Sequence, residues 1–150
     1  MLDVGRALPK VGAKDDAGET VKLGDLKRPL VVFFYPKANT PGCTNEANQF
    51  SELYKAFRKK GVEVVGVSRD SVEAQRKFKE KYTLPYRLLA DVDSKVCDAF
   101  GVIVEKNMYG RKSLGIARST FLIGSDGKVA KVWPKVKVDG HAGEVLASLS

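Results

Sequence analysis

The stretch LVVFFYPKANTPGCTNEANQF, residues 30–50, decides how the chain is read. It opens with an unbroken apolar run, LVVFFY, that ends at Tyr35. So short a run, rich in β-branched and aromatic side chains, reads as a strand covered on both faces, as in the middle of a parallel sheet. Pro36 ends it. Farther on, Ala47, Phe50, Tyr54 and Phe57 recur at helical spacing and Gly61 supplies a stop, so a helix from about Cys43 to Lys60 follows the strand.

The junction between the two elements is chemically unusual. With Thr40 as N-cap, Pro41 takes N1, where its missing N–H is not needed and its fixed φ suits a helix. Gly42 is then N2 and Cys43 N3. In a capping box the N3 residue is usually Glu, an anion facing unpaired backbone N–H groups. Here a thiol occupies that place, where the helix dipole and those N–H groups favour thiolate over thiol. Cys43 is therefore a candidate nucleophile rather than a small packing residue.

Working outward, ETVKL (19–23) reads as a short strand after Gly18, and VEVVGVS (62–68) as the second core strand. Asp70 and Glu73 form a capping-box pattern that opens a helix through Tyr82, with Val72, Phe78 and Tyr82 facing inward. YRLLAD (86–91) is a third strand, and Asp93 caps a short helix that ends at Gly101. VEKNMYGRKSLG reads as a long polar loop. ARSTFLIGSDGKVAKVW is a hairpin turned at Asp126–Gly127, and GHAGEVLASL a closing helix. Alternating strands and helices give a parallel sheet with right-handed crossovers, to which the hairpin adds antiparallel strands. The fold class is α/β: a thioredoxin-like fold with one extra strand–helix unit, its central mixed sheet flanked by helices. In such sheets chemistry gathers at the carboxyl ends of the parallel strands, and Cys43 lies just past one of them.

Composition narrows the function. At 150 residues and 43% hydrophobic content, without repeats or linkers, residues 1–150 are expected to form a single domain. No apolar stretch reaches the roughly 18 residues of a membrane span, and MLDVGRALPK lacks the apolar centre of a secretory signal, so a cytoplasmic location is expected. Two cysteines in such a chain read as reduced thiols. Basic residues outnumber acidic ones 26 to 18, for a net charge of +8. They are interleaved with acids, as in FRKKGVE and QRKFKEKY, and no basic run alternates with stacking aromatics. No specific nucleic-acid site is expected.

The reaction class follows by comparison of thiol chemistries. The one histidine, His141, opens the final helix and reads as a surface or cap residue, which leaves Cys43 without an oriented imidazole. TNE follows Cys43, so no C-x-x-C disulfide-reductase motif is present. No cluster of metal-ligating residues exists, and neither a metal nor an organic cofactor is expected. A single activated thiolate remains, suited to attack on a weak O–O bond. The alternative is a basic binding or holdase-type protein with an incidental thiol.

Pro36, Thr40 and Cys43 in PKANTPGC match the P-x-x-x-T-x-x-C signature of the peroxiredoxins. TPGCTNEA resembles the PrxQ, or bacterioferritin comigratory protein, subfamily. The likeness continues through DVDSKVCDAFGV, GIARSTFLI and GHAGEVL over nearly the whole chain. The resemblance implies a thiol peroxidase in antioxidant defence, reducing hydrogen peroxide and organic hydroperoxides through a cysteine sulfenic acid. It implies an active-site arginine at Arg118, and topology agrees. If RSTFLI runs antiparallel beside LVVFFY, Arg118 lies beside the end of that strand and could hold a thiolate or a peroxide oxygen. Thr40 would offer its hydroxyl, Pro36 would shield the pocket, and Glu46 matches an acid that interacts with the arginine. The implied partners are a hydroperoxide and a thiol reductant (thioredoxin, glutaredoxin or a small thiol), and the chain is expected to be a monomer or weak dimer.

Many PrxQ-like proteins carry a resolving cysteine five residues after the peroxidatic one. This chain has Asn48 there. Even a cysteine at that spacing would sit ~7.5 Å along the helix on another face, so the helix would have to unwind. Cys97 is the other internal candidate. If the parallel strands lie in sequence order, its helix begins roughly 10 Å from the Cys43 turn. KVCDAFGV also suits a packing thiol, and resolution by an external thiol is the preferred reading.

Overall fold

The computed structural model describes residues 1–149. A seven-stranded mixed sheet forms its centre, in the order β2-β1-β5-β4-β3-β8-β9. Strands β3 (Leu30–Phe34), β4 (Glu63–Ser68) and β5 (Arg87–Ala90) are parallel neighbours in sequence order, as expected. β8 (Ser119–Ile123) runs antiparallel to β3, and β9 (Val129–Trp133) pairs with β8 through the Gly127 turn. At the opposite edge β1 (Gly12–Asp15) pairs with both β2 (Thr20–Lys22) and β5. β1 had no signal in the sequence, because GAKD has no apolar alternation and gains its place from the neighbouring strands.

Every residue of β3 is buried, and its alternating side chains feed two cores. Leu30, Val32 and Phe34 pack with Val67, Leu89, Phe100 and Phe121 on one face, beneath helix α3 (Lys95–Phe100). Val31, Phe33 and Tyr35 pack on the other face with residues of α1 (Pro41–Lys59), α2 (Val72–Tyr82) and α4 (His141–Ala147). Phe50 and Phe57 of α1 are fully buried there, and Phe50 stacks on Phe33 with ring centroids 4.5 Å apart. Each such side chain contributes about 1.5–3 kcal/mol on burial, so α1 is clamped to the sheet two turns beyond Cys43. This clamp fixes where the helix starts.

Three local expectations are corrected. α2 is capped by Ser71, whose hydroxyl accepts from the Ala74 N–H at 3.1 Å, while Asp70 turns toward Ala38 and Ser68. α3 is not capped by Asp93: the Asp91 carboxylate accepts from the Val96 and Cys97 N–H groups at 3.0 and 2.7 Å. In each case a neighbouring side chain at the strand end had the better line to the unpaired donors. The expected polar loop after α3 is a second hairpin, β6 (Ile103–Met108) with β7 (Arg111–Ile116). It turns at Tyr109 and Gly110, both at positive φ, and its polar faces conceal the strand period.

Candidate active site

Between β3 and α1 the chain is held by partners from α2 and β4. The Tyr35 N–H donates to Val67, and the Ala38 N–H donates to Asp70 Oδ2 at 2.8 Å. Asn39 adopts a left-handed conformation, and its Oδ1 accepts from the Tyr82 hydroxyl at 2.9 Å. Thr40 has the extended backbone of an N-cap, and Pro41 occupies N1 as the sequence indicates. The Thr40 hydroxyl, however, does not cap; it donates back to the Lys37 carbonyl at 2.8 Å. The first helical bond runs from the Thr44 N–H to Thr40. Among the described residues no side chain therefore meets the Gly42 and Cys43 N–H groups at the positive end of the helix.

Cys43 is 1% exposed and its sulfur faces Arg118. The register that pairs Phe34 with Ser119 sets Arg118 beside the end of β3, where the antiparallel topology was expected to put it. One guanidinium nitrogen, Nη2, donates to Cys43 Sγ at 3.3 Å; the other, Nη1, donates to Glu46 Oε1 at 2.8 Å. Gly42 makes room for this fork, since a Cβ there would lie 3.2 Å from Nη2. Glu46 is buried almost completely. Burial pushes its carboxyl up to about 7, although Arg118 works against the rise, and among the described residues Oε2 has no hydrogen-bond partner. For Arg118 burial works against the charge, but Glu46 and Cys43 outweigh it and hold the guanidinium above its ordinary value.

The other candidates are placed as follows. Pro36 is half-buried and follows directly on Tyr35 at the strand end. Cys97 is fully buried in the α3 core, on the opposite side of the sheet from Cys43. Burial, followed by the neighbouring Asp91, pushes its thiol far above the usual range. His141 is not a surface residue: it is 3% exposed, lies 2.7 Å from Thr120 Oγ1, and packs edge-on to Phe50 and Trp133. Burial lowers its pKa, with Glu144 acting in the other direction, so the ring serves packing.

One polar network lay outside the sequence reading. The Tyr35 hydroxyl donates to Gln75 Oε1 at 2.6 Å, and Gln75 Nε2 donates to Ser68 Oγ and the Leu89 carbonyl. The Ser68 hydroxyl in turn donates to Asp70, the residue that holds Ala38. Tyr35 stays a neutral donor because burial raises its pKa. A signal did exist: Gln75 is three residues from both Val72 and Phe78, a polar residue on the inward stripe of α2.

A buried sulfur held by a guanidinium, at an uncapped helix start and without an imidazole, suits attack by a thiolate on a neutral electrophile. Relatives point the same way. The AhpC/TSA family profile matches residues 4–132. The peroxiredoxin Bcp of Bacillus subtilis is 45% identical, with 99% of this chain and 95% of that protein covered. The peroxiredoxin Bcp of Xanthomonas campestris is 52% identical over 80% of this chain and 75% of its own length. Among solved structures, the bacterioferritin comigratory protein of Xanthomonas campestris, studied for alkyl peroxide reduction, superposes with a TM-score of 0.91. It is 43% identical, covering 98% of this chain and 97% of its own. A mutant of PrxQ from Xylella fastidiosa gives a TM-score of 0.94 at 39% identity, with 99% and 96% covered. With this fold, this cysteine turn and these relatives, the chain belongs to the AhpC/TSA family, among the thioredoxin-fold, thiol-dependent peroxidases of the Bcp/PrxQ peroxiredoxins.

Proposed function

We propose that the chain reduces hydrogen peroxide and organic hydroperoxides at Cys43, as a single-domain cytoplasmic enzyme, and that an external thiol regenerates it. The observation that carries this reading is the forked contact of Arg118 with Cys43 and Glu46. The Cys43 thiolate attacks the terminal oxygen of the hydroperoxide. The S–O bond forms as the O–O bond breaks; the alkoxide or hydroxide leaves and takes a proton from solvent. The sulfur is oxidised by two electrons to a sulfenic acid. Arg118 and the Gly42 and Cys43 N–H groups stabilise negative charge as it moves between oxygens. Glu46 orients the fork. With its proton committed to Lys37, Thr40 offers a lone pair to the peroxide O–H, and Pro36 screens the pocket from water.

One thiol then attacks the sulfenic sulfur, releasing water and leaving a mixed disulfide; a second thiol displaces Cys43. The sheet between Cys43 and Cys97, the depth of Cys97 and the presence of Asn48 all support an external donor (thioredoxin, glutaredoxin or a small thiol). A monomer or weak dimer suffices, because the site draws its groups from one chain. Peroxide consumption with thioredoxin or dithiothreitol as donor tests the reading. Cys43→Ser should abolish turnover and leave the far-UV spectrum unchanged. A variant that keeps a tenth of the activity would show that the nucleophile lies elsewhere.

A further inference from the structure

The β6–β7 hairpin stands apart from the main sheet, yet its base adjoins the site. The Ala117 N–H donates to Val102 at 2.7 Å immediately before Arg118, and Arg69 Nη2, just past the end of β4, donates to the Leu114 carbonyl at 3.3 Å. Both tethers lie at the end of the sheet that carries the Cys43 turn. On the hairpin, Lys106 pairs across to Ser113 and lays its side chain over Gly115. A Cβ at Gly115 would lie 3.1 Å from Lys106 Cδ and 3.6 Å from Nζ, so the glycine leaves the path along which the lysine runs.

The charges of this corner are not balanced. Arg118 has Glu46 as its carboxylate, and the exposed Lys112 of the same hairpin has Glu105 at 3.6 Å. Among the described residues neither Lys106 nor Arg69 has a carboxylate within 4.0 Å. Lys106 is half-buried, and its ammonium is electrostatically coupled to Arg118, Cys43 and Arg69. Burial lowers its pKa first and Arg118 next, while Cys43 acts in the opposite direction. Two cations without carboxylate partners at a partly desolvated site favour an incoming anion.

We propose that Lys106, supported by Arg69, selects hydroperoxides that carry a carboxylate near the O–O bond, holding that anion at the mouth of the site while the peroxide oxygen meets Cys43. The inference rests on the peroxidase chemistry at Cys43 and adds a substrate class to it. A carboxylate could also belong to the reducing thiol, so the oxidative step is measured alone. Reduced protein is mixed with one equivalent of tert-butyl hydroperoxide, of its analogue bearing a carboxylate on one methyl group, or of that analogue's methyl ester, without thiol. Loss of the free Cys43 thiol is followed in time.

The wild-type chain should react faster with the acid than with its ester, and added salt should shrink the ratio. Lys106→Gln should lower the acid-to-ester ratio roughly fivefold, the scale of a partly exposed ion pair, and Lys106→Glu should lower it further. The ratio is read because any general loss of thiol reactivity affects both substrates. An acid-to-ester ratio near one in the wild type, or one that Lys106→Glu leaves unchanged, would overturn the inference. No oxidation of Cys43 by hydrogen peroxide would instead remove the peroxidase reading beneath it.

Discussion

Replacing Arg118 with alanine removes at once a charge-assisted hydrogen bond to sulfur and, among the described residues, the one ion-pair partner of a buried carboxylate. At the observed 3.3 Å from Nη2 to Sγ, a unit charge pair in an effective dielectric near 20 would interact by about 5 kcal/mol, an upper bound. Arg118 is 20% exposed, and desolvation consumes part of that gain. The usual worth of a hydrogen bond to a charged group, about 1.5–3 kcal/mol, is the better guide. Peroxide reduction should therefore slow by one to two decades (~10–100-fold). Lysine should rescue in part, because one ammonium cannot face both Sγ and Glu46 as the planar fork does. Stability should fall as well, because Glu46 is left buried without a partner, but less than a broken buried pair usually costs, since a carboxyl pushed up to about 7 escapes by taking a proton. Arg118→Ala combined with Glu46→Gln should restore stability and leave the rate low. Iodoacetamide alkylation of Cys43 at neutral pH, alongside urea unfolding, separates the two effects. An alkylation rate within twofold of wild type would remove Arg118 from the chemistry.

Three other outcomes are expected. Cys97→Ser should keep full turnover with thioredoxin, and dimedone should add once to the peroxide-treated chain; a Cys43–Cys97 disulfide in oxidised monomer would contradict the division of the thiols by the sheet. Glu46 titrates higher in the folded state, about 7 against 4.5, so the folded chain binds the extra proton and this group's contribution to stability is lost as pH rises through that window. Urea unfolding at pH values on either side of the window should show a wild-type loss of about 3 kcal/mol that Glu46→Gln lacks, and equal stabilities at both pH values would show that the carboxyl is not shifted. Gly42→Ala should push the guanidinium off sulfur, because its Cβ would come within 3.2 Å of Nη2, and should slow peroxide reduction about tenfold with little change in unfolding midpoint. Thiol loss at the wild-type rate would show that the fork can shift without cost.

The sequence revealed most where one pattern admitted one structure. LVVFFY could only be a strand covered on both faces, and Thr-Pro-Gly before a helical stripe could only open a helix; both stand where they were expected. Arg118 was reachable because an antiparallel register leaves little freedom once the neighbouring strand is known. What escaped was decided by tertiary neighbours. Asp70 and Asp93 fit capping patterns that Ser71 and Asp91 satisfied instead. The β6–β7 hairpin reaches the core only at its base, through Ile103 and Ile116, too short a buried stretch to impose a period, and GAKD became a strand only because β5 and β2 flank it. His141 looked superficial since a position at a helix start says nothing about which core the helix covers.

The alternation along β3 has a consequence for electron stoichiometry. Because odd and even side chains of that strand feed different cores, the two sulfurs of the chain lie in separate compartments. On the mechanism proposed above, each chain then stores one two-electron oxidation, as a lone sulfenic acid, and cannot pass it inward to a second thiol. On that mechanism the oxidised protein has no closed disulfide in which to wait. Its working lifetime is set by a race at a single atom between the next reducing thiol and the next peroxide, which would carry the sulfur on to the sulfinic acid. Such a chain acts as a fuse as much as a catalyst, spending itself when oxidant outruns reductant.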